Sequence, residues 1–365
     1  MAGQAAASVV VIENGSLNIR AGLASAQNPS VIFPAVVGEP KLVGDTKRYV
    51  GQNALDNRAL TILRRPIEFA TIRDWEGAEQ LWYHAYYDAL KIAPEEHRVL
   101  MTEAFVTNKS SRVQNFQVLF ETFNVPGACL MPSTSLPLYA SGRVSGAVLD
   151  FGYSITQVGC VLEGERLSET CQRLNIGGGS IDEMVAKLLA QRGLILSTST
   201  DLEIARAIKE KHCLLSEQNF CDQLPTGAAE DIVYELPDGS TITLDESVRK
   251  TPAEGLFLPS LFGFSCFGIS ELTYSSVYQC ESDLRKTLFS NVVLAGGGSR
   301  LVGLSKRLQQ ELTTIVPAHT TVEVSLAAPN HISATWTGGA ILASLSSFDS
   351  FCLSMAEYHE KGPPG

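Results

Sequence analysis

The sequence predicts an α/β protein, and three observations carry that prediction. Three segments share one design: "SVVVIENGSLNIRAG" (8–22), "GAVLDFGYSITQVG" (146–159) and "NVVLAGGGSRLVG" (291–303) each run through β-branched residues into a polar, glycine-containing turn. The first two are offset copies. Each puts a carboxylate at the strand end, Glu13 or Asp150, and a glycine two residues on, Gly15 or Gly152, with 137 residues between equivalents. Helical patterns alternate with these strands, as an α/β fold requires. At 365 residues the chain has room for two domains with large cores.

The remaining elements follow in order. "GEPKLVGDTKRYVGQNA" (38–54) is polar and turn-rich and reads as a small excursion. Between 67 and 92 a helix is expected from about Glu76 onward. "SIDEMVAKLLAQRG" begins with Ser180 and has Glu183 three residues later, the pattern of a capping box. Its Ile181, Met184, Val185, Leu188 and Leu189 keep helical spacing, and Gly193 can close the end. "TDLEIARAIKEKHC" repeats the device with Thr200 and Glu203. "ELPDGSTITLDE" (235–246) reads as a hairpin around Pro237-Asp238-Gly239. Leu304, Leu308 and Leu312 mark a helix after the third glycine turn. "EKGPPG" is a loose C-terminal end.

Composition excludes several classes of function. With 45% apolar and 18% charged residues the chain reads as globular. No apolar run reaches the roughly 18 residues a spanning helix needs, so no membrane insertion is expected. The N-terminus lacks a basic n-region, so no signal peptide is expected. A net charge of −11 argues against binding nucleic acid through its phosphates. Eight cysteines are scattered without C-x-x-C or zinc spacing, which fits a reducing, intracellular compartment.

Three motifs carry candidate chemistry. Gly296-Gly297-Gly298-Ser299 follows a strand and precedes a helix, where glycines admit a flat ligand and a helix N-terminus favours anions. A tight turn explains it equally well. Arg206, Lys209 and Glu210 share one helix face opposite Ile204, Ala205 and Ile208. They form either a solvated face or a polar shelf for a nucleotide base. Gly177-Gly178-Gly179 before Ser180 is a hinge or a ligand contact. The hairpin after Asp150 would suit a phosphate, but Phe151 and Tyr153 put bulk into a turn that usually wants small residues. Walker A, G-x-S-x-G and kinase catalytic-loop motifs do not occur.

Seven stretches then carry a family resemblance in the right order: "PEEHRVLMTEA" (94–104), "LFETFNVPG" (119–127), "LPLYASGR" (136–143), "AIKEKHCLLS" (207–216), "YELPDGSTIT" (234–243), "DLRKTLFSNVVLAGGG" (283–298) and "GGAILASLSSF" (338–348). The chain resembles actin and actin-related proteins almost end to end. "FETFNVP", "LPDGSTI" and "DLRKTLFSN" look nearer to centractin, the actin-related subunit of dynactin, than to conventional actin. The resemblance implies an actin-like ATPase fold, two RNase H-like α/β domains around a nucleotide cleft that holds ATP or ADP with Mg2+. It places the first domain at 1–140 plus 334–365, with the small excursion at 35–65. The second is placed at 141–333, with a subdomain at 177–264.

Residue by residue, the resemblance implies that Arg206, Lys209 and Glu210 contact adenine and that Gly178 and Gly297 are nucleotide-site glycines. The phosphate side departs from the family pattern. Its aspartate is Glu13, a small glycine is Leu17 and its phosphate-binding lysine is Arg20. Asp150 and Gly152 remain, whereas a small residue, a second aspartate and a glycine have become Phe151, Tyr153 and Ser154. The water-orienting glutamine falls at Ser133, the histidine of that water network at Gln157, and a lysine near the adenine at Ile332. Phosphate is expected at Gly15, Ser16 and Arg20, and the cation at Asp150 and Glu13 through water. Loss of water-positioning groups removes a contribution of about 10²–10⁴-fold, so hydrolysis is expected to be weak or absent.

The loop between Pro40 and Tyr49 is shorter than actin's, and the tail lacks the usual basic, Cys-containing ending. "FLPSLFGFSCFGISELT" (257–273) keeps the family's hydrophobic plug. These features favour a cytoplasmic, cytoskeletal subunit whose partners are actin-family subunits or a dynein-adaptor complex. A conventional polymerising ATPase and a nuclear chromatin-remodelling subunit are the alternatives.

Overall fold

The computed structural model describes residues 8–41, 47–105, 107–196, 199–216, 231–328 and 330–364. The chain divides into two compact units. One takes in the chain up to Val144 with Glu163–Ser168 and the residues from Ala327 onward; the other takes in Ser145–Leu162 and Glu169–Leu326.

The first unit is built on β1 (Val9–Asn14), β2 (Asn18–Leu23), β3 (Val31–Pro34), β4 (Arg98–Glu103) and β5 (Gly127–Pro132). Across the sheet the order is β5-β4-β1-β2-β3, with the short strand Leu353–Ser354 beyond β5. β1 is antiparallel to β2 and parallel to β4, which is parallel to β5. The unbroken apolar run of β1 follows from burial on both faces. Val10 and Ile12 pack with Leu81, Trp82, Tyr86, Phe116 and Phe120 on one side. Val9 and Val11 pack with Leu136, Trp336 and Ala340 on the other. The period-2 alternation of a strand divides a single sequence run between two cores.

The helix expected from Glu76 runs over Trp75–Tyr83, capped by Asp74, whose side chain accepts from the Gly77 amide at 3.0 Å. Within the same core, Trp82 Nε1 donates to Asn14 Oδ1 at 2.9 Å, which satisfies a buried indole and fixes the end of β1. The excursion forms a three-stranded sheet of Val37–Pro40, Tyr49–Val50 and Thr61–Arg64. Part of its short loop lies outside the described residues.

The second unit repeats the plan with β6 (Gly146–Phe151), β7 (Thr156–Leu162), β8 (Glu165–Leu174), β9 (Val292–Ala295) and β10 (Val324–Leu326). Their order is β8-β7-β6-β9-β10, the succession of β3-β2-β1-β4-β5. The leading hairpins agree in register as well. Glu13 faces Arg20 in β1–β2, and Asp150 faces Gln157 in β6–β7. The two hairpin turns also close alike: a methyl group at Gly15 would lie 2.4 Å from the Asn18 carbonyl oxygen, and one at Gly152 2.8 Å from that of Ile155.

Two helical expectations need correction or restriction. The helix assigned to Ser180 as its cap begins earlier, at Gly178, and runs to Ala190 with Gly177 as N-cap. Ser180 therefore sits in the first turn and its hydroxyl accepts from the Gly177 amide at 3.5 Å. Neighbouring backbone carbonyls satisfy the first helical amides, so no side-chain cap is required there. Gly193 adopts φ +89 and ends this helix as expected. The helix Ser199–His212 forms, but the Thr200 capping contact lies outside the described side chains. The 235–246 hairpin pairs Ile232–Glu235 with Thr241–Leu244. Leu304, Leu308 and Leu312 are buried along the helix Leu304–Ile315. Among the described residues no helix is long and apolar enough to cross a membrane.

The packing of the helix Ala334–Ala343 on Leu136–Ala140 sets the first unit's second core. A methyl group at Gly338 would lie 1.8 Å from the Leu136 carbonyl oxygen, a backbone atom that no rotamer change can move. Gly338→Ala is expected to destabilise the protein by about 3 kcal/mol or more through overpacking, seen as a lower urea midpoint with unchanged slope.

Candidate functional site

The candidate residues fall into two groups, one in each unit. In the second unit the strand ends of β6 and β9 are parallel neighbours, with Asp150 opposite Ala295. This register sets the glycine turn directly against the carboxylate. Gly296 has φ +83, and a methyl group there would lie 2.6 Å from Asp150 Oδ1 and 2.5 Å from the Phe151 carbonyl oxygen. Gly298 closes equally on the Phe151 Cβ, whereas a methyl group at Gly297 would meet nothing within 4 Å. Asp150, Gly296, Gly297 and Gly298 thus form one constellation with open space at Gly297.

Phe151 requires a correction. It was expected to obstruct the turn, but it is the last residue of β6 and its side chain is buried in the core. The glycines at 296 and 298 approach its carbonyl oxygen and Cβ, while the side chain as a whole is buried.

Tyr153 is the bulky residue that does change the site. The turn hydrogen-bonds to the start of the helix Gly178–Ala190: the Gly178 amide donates to the Gly152 carbonyl at 3.0 Å, and the Gly179 amide to the Tyr153 carbonyl at 2.8 Å. Two amides at a helix start, of the kind that bind anions, are therefore already used. The Tyr153 ring lies against these glycines, 3.1 Å from where a Gly179 methyl would stand. The Arg206 guanidinium sits 5.2 Å from the ring centroid, and its Nη2 donates to Tyr153 Oη at 3.4 Å. An aromatic side chain thus occupies the place on the Arg206 shelf that suits a flat ligand.

Beneath the shelf lies Asp182, 1% exposed, which the sequence reading missed. Its Oδ1 is 2.7 Å from Lys209 Nζ, and its Oδ2 is 3.5 Å from Arg206 Nε. Lys209 Nζ also donates to the Gly178 carbonyl at 3.0 Å, and Arg206 pairs with Glu203 one turn back. The shelf's cations are thus held by acids of the protein itself, Asp182 and Glu203. Glu210 is exposed. The missed signal was an acid standing among the inward positions Ile181, Met184 and Val185. Burial pushes the Asp182 carboxyl above its ordinary 3.8, with Lys209 and Arg206 opposing.

In the first unit Glu13 and Arg20, opposite each other across the β1–β2 hairpin, form an ion pair at 2.6 Å with both side chains largely buried. Gly15 and Ser16 form the turn between them, and Arg65 donates to the Ser16 carbonyl at 3.2 Å. Ser133 follows β5, its amide bound to the Glu103 carbonyl at 2.9 Å. Gln157 is buried on β7, and Ile332 is half-buried with its amide on Asn330. Among the described residues no group of three or more His, Cys, Asp or Glu side chains is assembled for a metal.

Comparison with known families decides the identity of this arrangement. A family model described as Actin matches residues 4–364. The chain belongs to the actin family. Actin-family proteins generally bind ATP or ADP with Mg2+ and assemble with other actin-family subunits. The base side of this actin-family chain fits such a ligand in its donors, because Arg206, Lys209 and the space at Gly297 are present. The Tyr153 ring lies against the same Arg206.

The raised Asp182 pKa has a stability consequence. A group whose folded pKa is raised contributes fully below its unfolded value and loses that contribution as pH rises through the folded value. Wild-type protein is therefore expected to lose stability relative to Asp182→Asn as pH rises from acid toward neutrality, measured as the difference in urea midpoints across a pH series.

Proposed function

We propose that this chain is a structural actin-family subunit of an actin-like filament or a dynactin-like motor-adaptor assembly, holding nucleotide weakly and hydrolysing it slowly or not at all. The observation that carries this reading is the Tyr153 ring on the Arg206 shelf. The stretches nearer to centractin support the choice of assembly, and the same reading makes the protein cytoplasmic and cytoskeletal.

Arg206, Lys209 and Glu210, with Gly178, Gly296, Gly297 and Gly298, would take the base and sugar side of ATP or ADP. Within the second unit Gly152 would take phosphate and Asp150 would hold Mg2+ through water; within the first, Gly15, Ser16 and Arg20 carry the groups for phosphate and Glu13 the one for the cation. The nucleotide supplies a phosphoanhydride whose hydrolysis needs an oriented, deprotonated water. At the position of the water-orienting glutamine, Ser133 has a hydroxyl on a single carbon and a correspondingly short reach. Gln157 at the histidine position has no titratable group, so it cannot move a proton. Glu13 in addition neutralises Arg20, which weakens the pull of that guanidinium on a phosphate. A conventional polymerising ATPase fits these residues less well.

Removing the ring tests the reading. Tyr153→Ala is expected to raise the affinity for a fluorescent etheno-ATP with Mg2+ about tenfold, since a stacked aromatic contact amounts to about 1–3 kcal/mol. Phosphate release is expected to stay slow in both proteins. Tight binding by the wild type with phosphate release coupled to sedimentable polymer would overturn the proposal.

A further inference from the structure

A second chemistry is built into the far edge of the first sheet, apart from the nucleotide residues. The strand Leu353–Ser354 pairs antiparallel with β5, with Gly127 opposite Ser354 and Ala128 opposite Leu353. The Met355 amide donates to the Pro126 carbonyl at 3.1 Å, which makes 126/355 a hydrogen-bonded pair. Antiparallel ladders alternate, so 128/353 is the next such pair and 129/352 is a non-hydrogen-bonded one. The Cys352 amide accordingly bonds elsewhere, to the Asp349 carbonyl at 3.3 Å. Cα atoms of a non-hydrogen-bonded pair stand about 4.5 Å apart with their side chains on one face, inside the range a disulfide spans. Cys129 and Cys352 indeed share one core cluster with Phe348 and Trp336.

We propose that Cys129 and Cys352 form a dithiol site that reacts with low-molecular-weight disulfides and closes to a cross-strand disulfide at the sheet edge. The two thiols differ in the way the reaction needs. Cys352 is half-buried and Cys129 is buried. A hydrogen bond from the Cys129 thiol holds Cys352 below its ordinary 9.0, with the Arg98 guanidinium contributing in the same direction; the same contact and burial push Cys129 up. Cys352 is therefore the attacking thiolate and Cys129 the resolving thiol.

The steps balance. The Cys352 thiolate attacks one sulfur of glutathione disulfide, the S–S bond breaks, and one glutathione leaves as a thiolate that takes a proton from water. Cys129 gives its proton to water and attacks the Cys352 sulfur of the mixed disulfide, expelling the second glutathione, which is protonated in turn. Two protein thiols are oxidised and one glutathione disulfide is reduced to two thiols. The product ties the helix Met355–Lys361 to β5. That helix already docks through Tyr358, whose ring lies 4.6 Å from Phe120 and whose hydroxyl donates to Glu121 at 2.5 Å.

Other thiols serve as internal comparisons. Cys160 and Cys280 also meet, with Cys160 Sγ 3.5 Å from Ser276 Oγ and Cys280 Sγ donating to the Ser276 carbonyl at 3.9 Å, but both are buried. Cys266 is exposed. The test is incubation of the reduced protein with glutathione disulfide, followed by alkylation and peptide mass spectrometry. The expected result is a 129–352 cross-link in the wild type, with Cys160 and Cys280 still reduced. In Cys129→Ser, glutathione is expected to accumulate on Cys352 several-fold over the wild type, because the resolving thiol is gone. Glutathione on Cys266 with Cys129 and Cys352 both left reduced would overturn the proposal, and that outcome is read in the wild type without any variant. An unmodified Cys352 in folded Cys129→Ser would overturn it as well.

Discussion

The second unit's candidate site depends on one buried ionic contact, the carboxylate of Asp182 beneath Lys209 and Arg206. Taking this acid out of water is costly, and the two cations offset the cost only while both stay in place. Lys209 is thereby bound to the Gly178 carbonyl, and the helix Ser199–His212 is fixed against the start of Gly178–Ala190. Arg206 reaches Tyr153, its guanidinium 5.2 Å from the ring centroid. The shelf's two cations are paired with a buried carboxylate from the protein side. A ligand arriving there meets oriented donors that it need not order, but also an aromatic ring that it must displace.

The same economy governs the paired hairpins. In each, a glycine closes on a carbonyl three residues later, and the strand-end carboxylate faces a fixed partner seven residues on. The first hairpin uses that register to join Glu13 to Arg20, whereas the second sets Asp150 against the glycine turn of the neighbouring strand. One backbone design therefore carries two electrostatic outcomes. The side chain across the strand differs, Arg20 opposite Glu13 and Gln157 opposite Asp150.

Much of the fold was legible in the sequence, because burial on both faces leaves a strong imprint. The runs around Val9, Val148 and Val292 could be read as strands without knowledge of their partners. The leucines at 304, 308 and 312 likewise revealed their helix. The site was less legible. Letters alone treat Phe151 and Tyr153 as equal obstructions, but Phe151 ends the strand and is buried in the core, whereas Tyr153 lies in the turn beyond it, where its ring meets Arg206. Asp182 was passed over because an acid on an amphipathic helix usually faces water. Ser180 has the residue type of a cap, but the carbonyls of Gly152 and Tyr153 hold the helix start instead.

The central proposal is that the Tyr153 ring of this actin-family protein stands where a nucleotide base would lie, and that Ser133 and Gln157 leave turnover slow or absent. The most direct measurement is chromatography of the nucleotide released when freshly purified protein is denatured, with phosphate followed in the same sample before denaturation. The account predicts clearly less than one nucleotide per chain and no phosphate released over time. One tightly held nucleotide per chain, with ATP converted to ADP as phosphate appears, would contradict it.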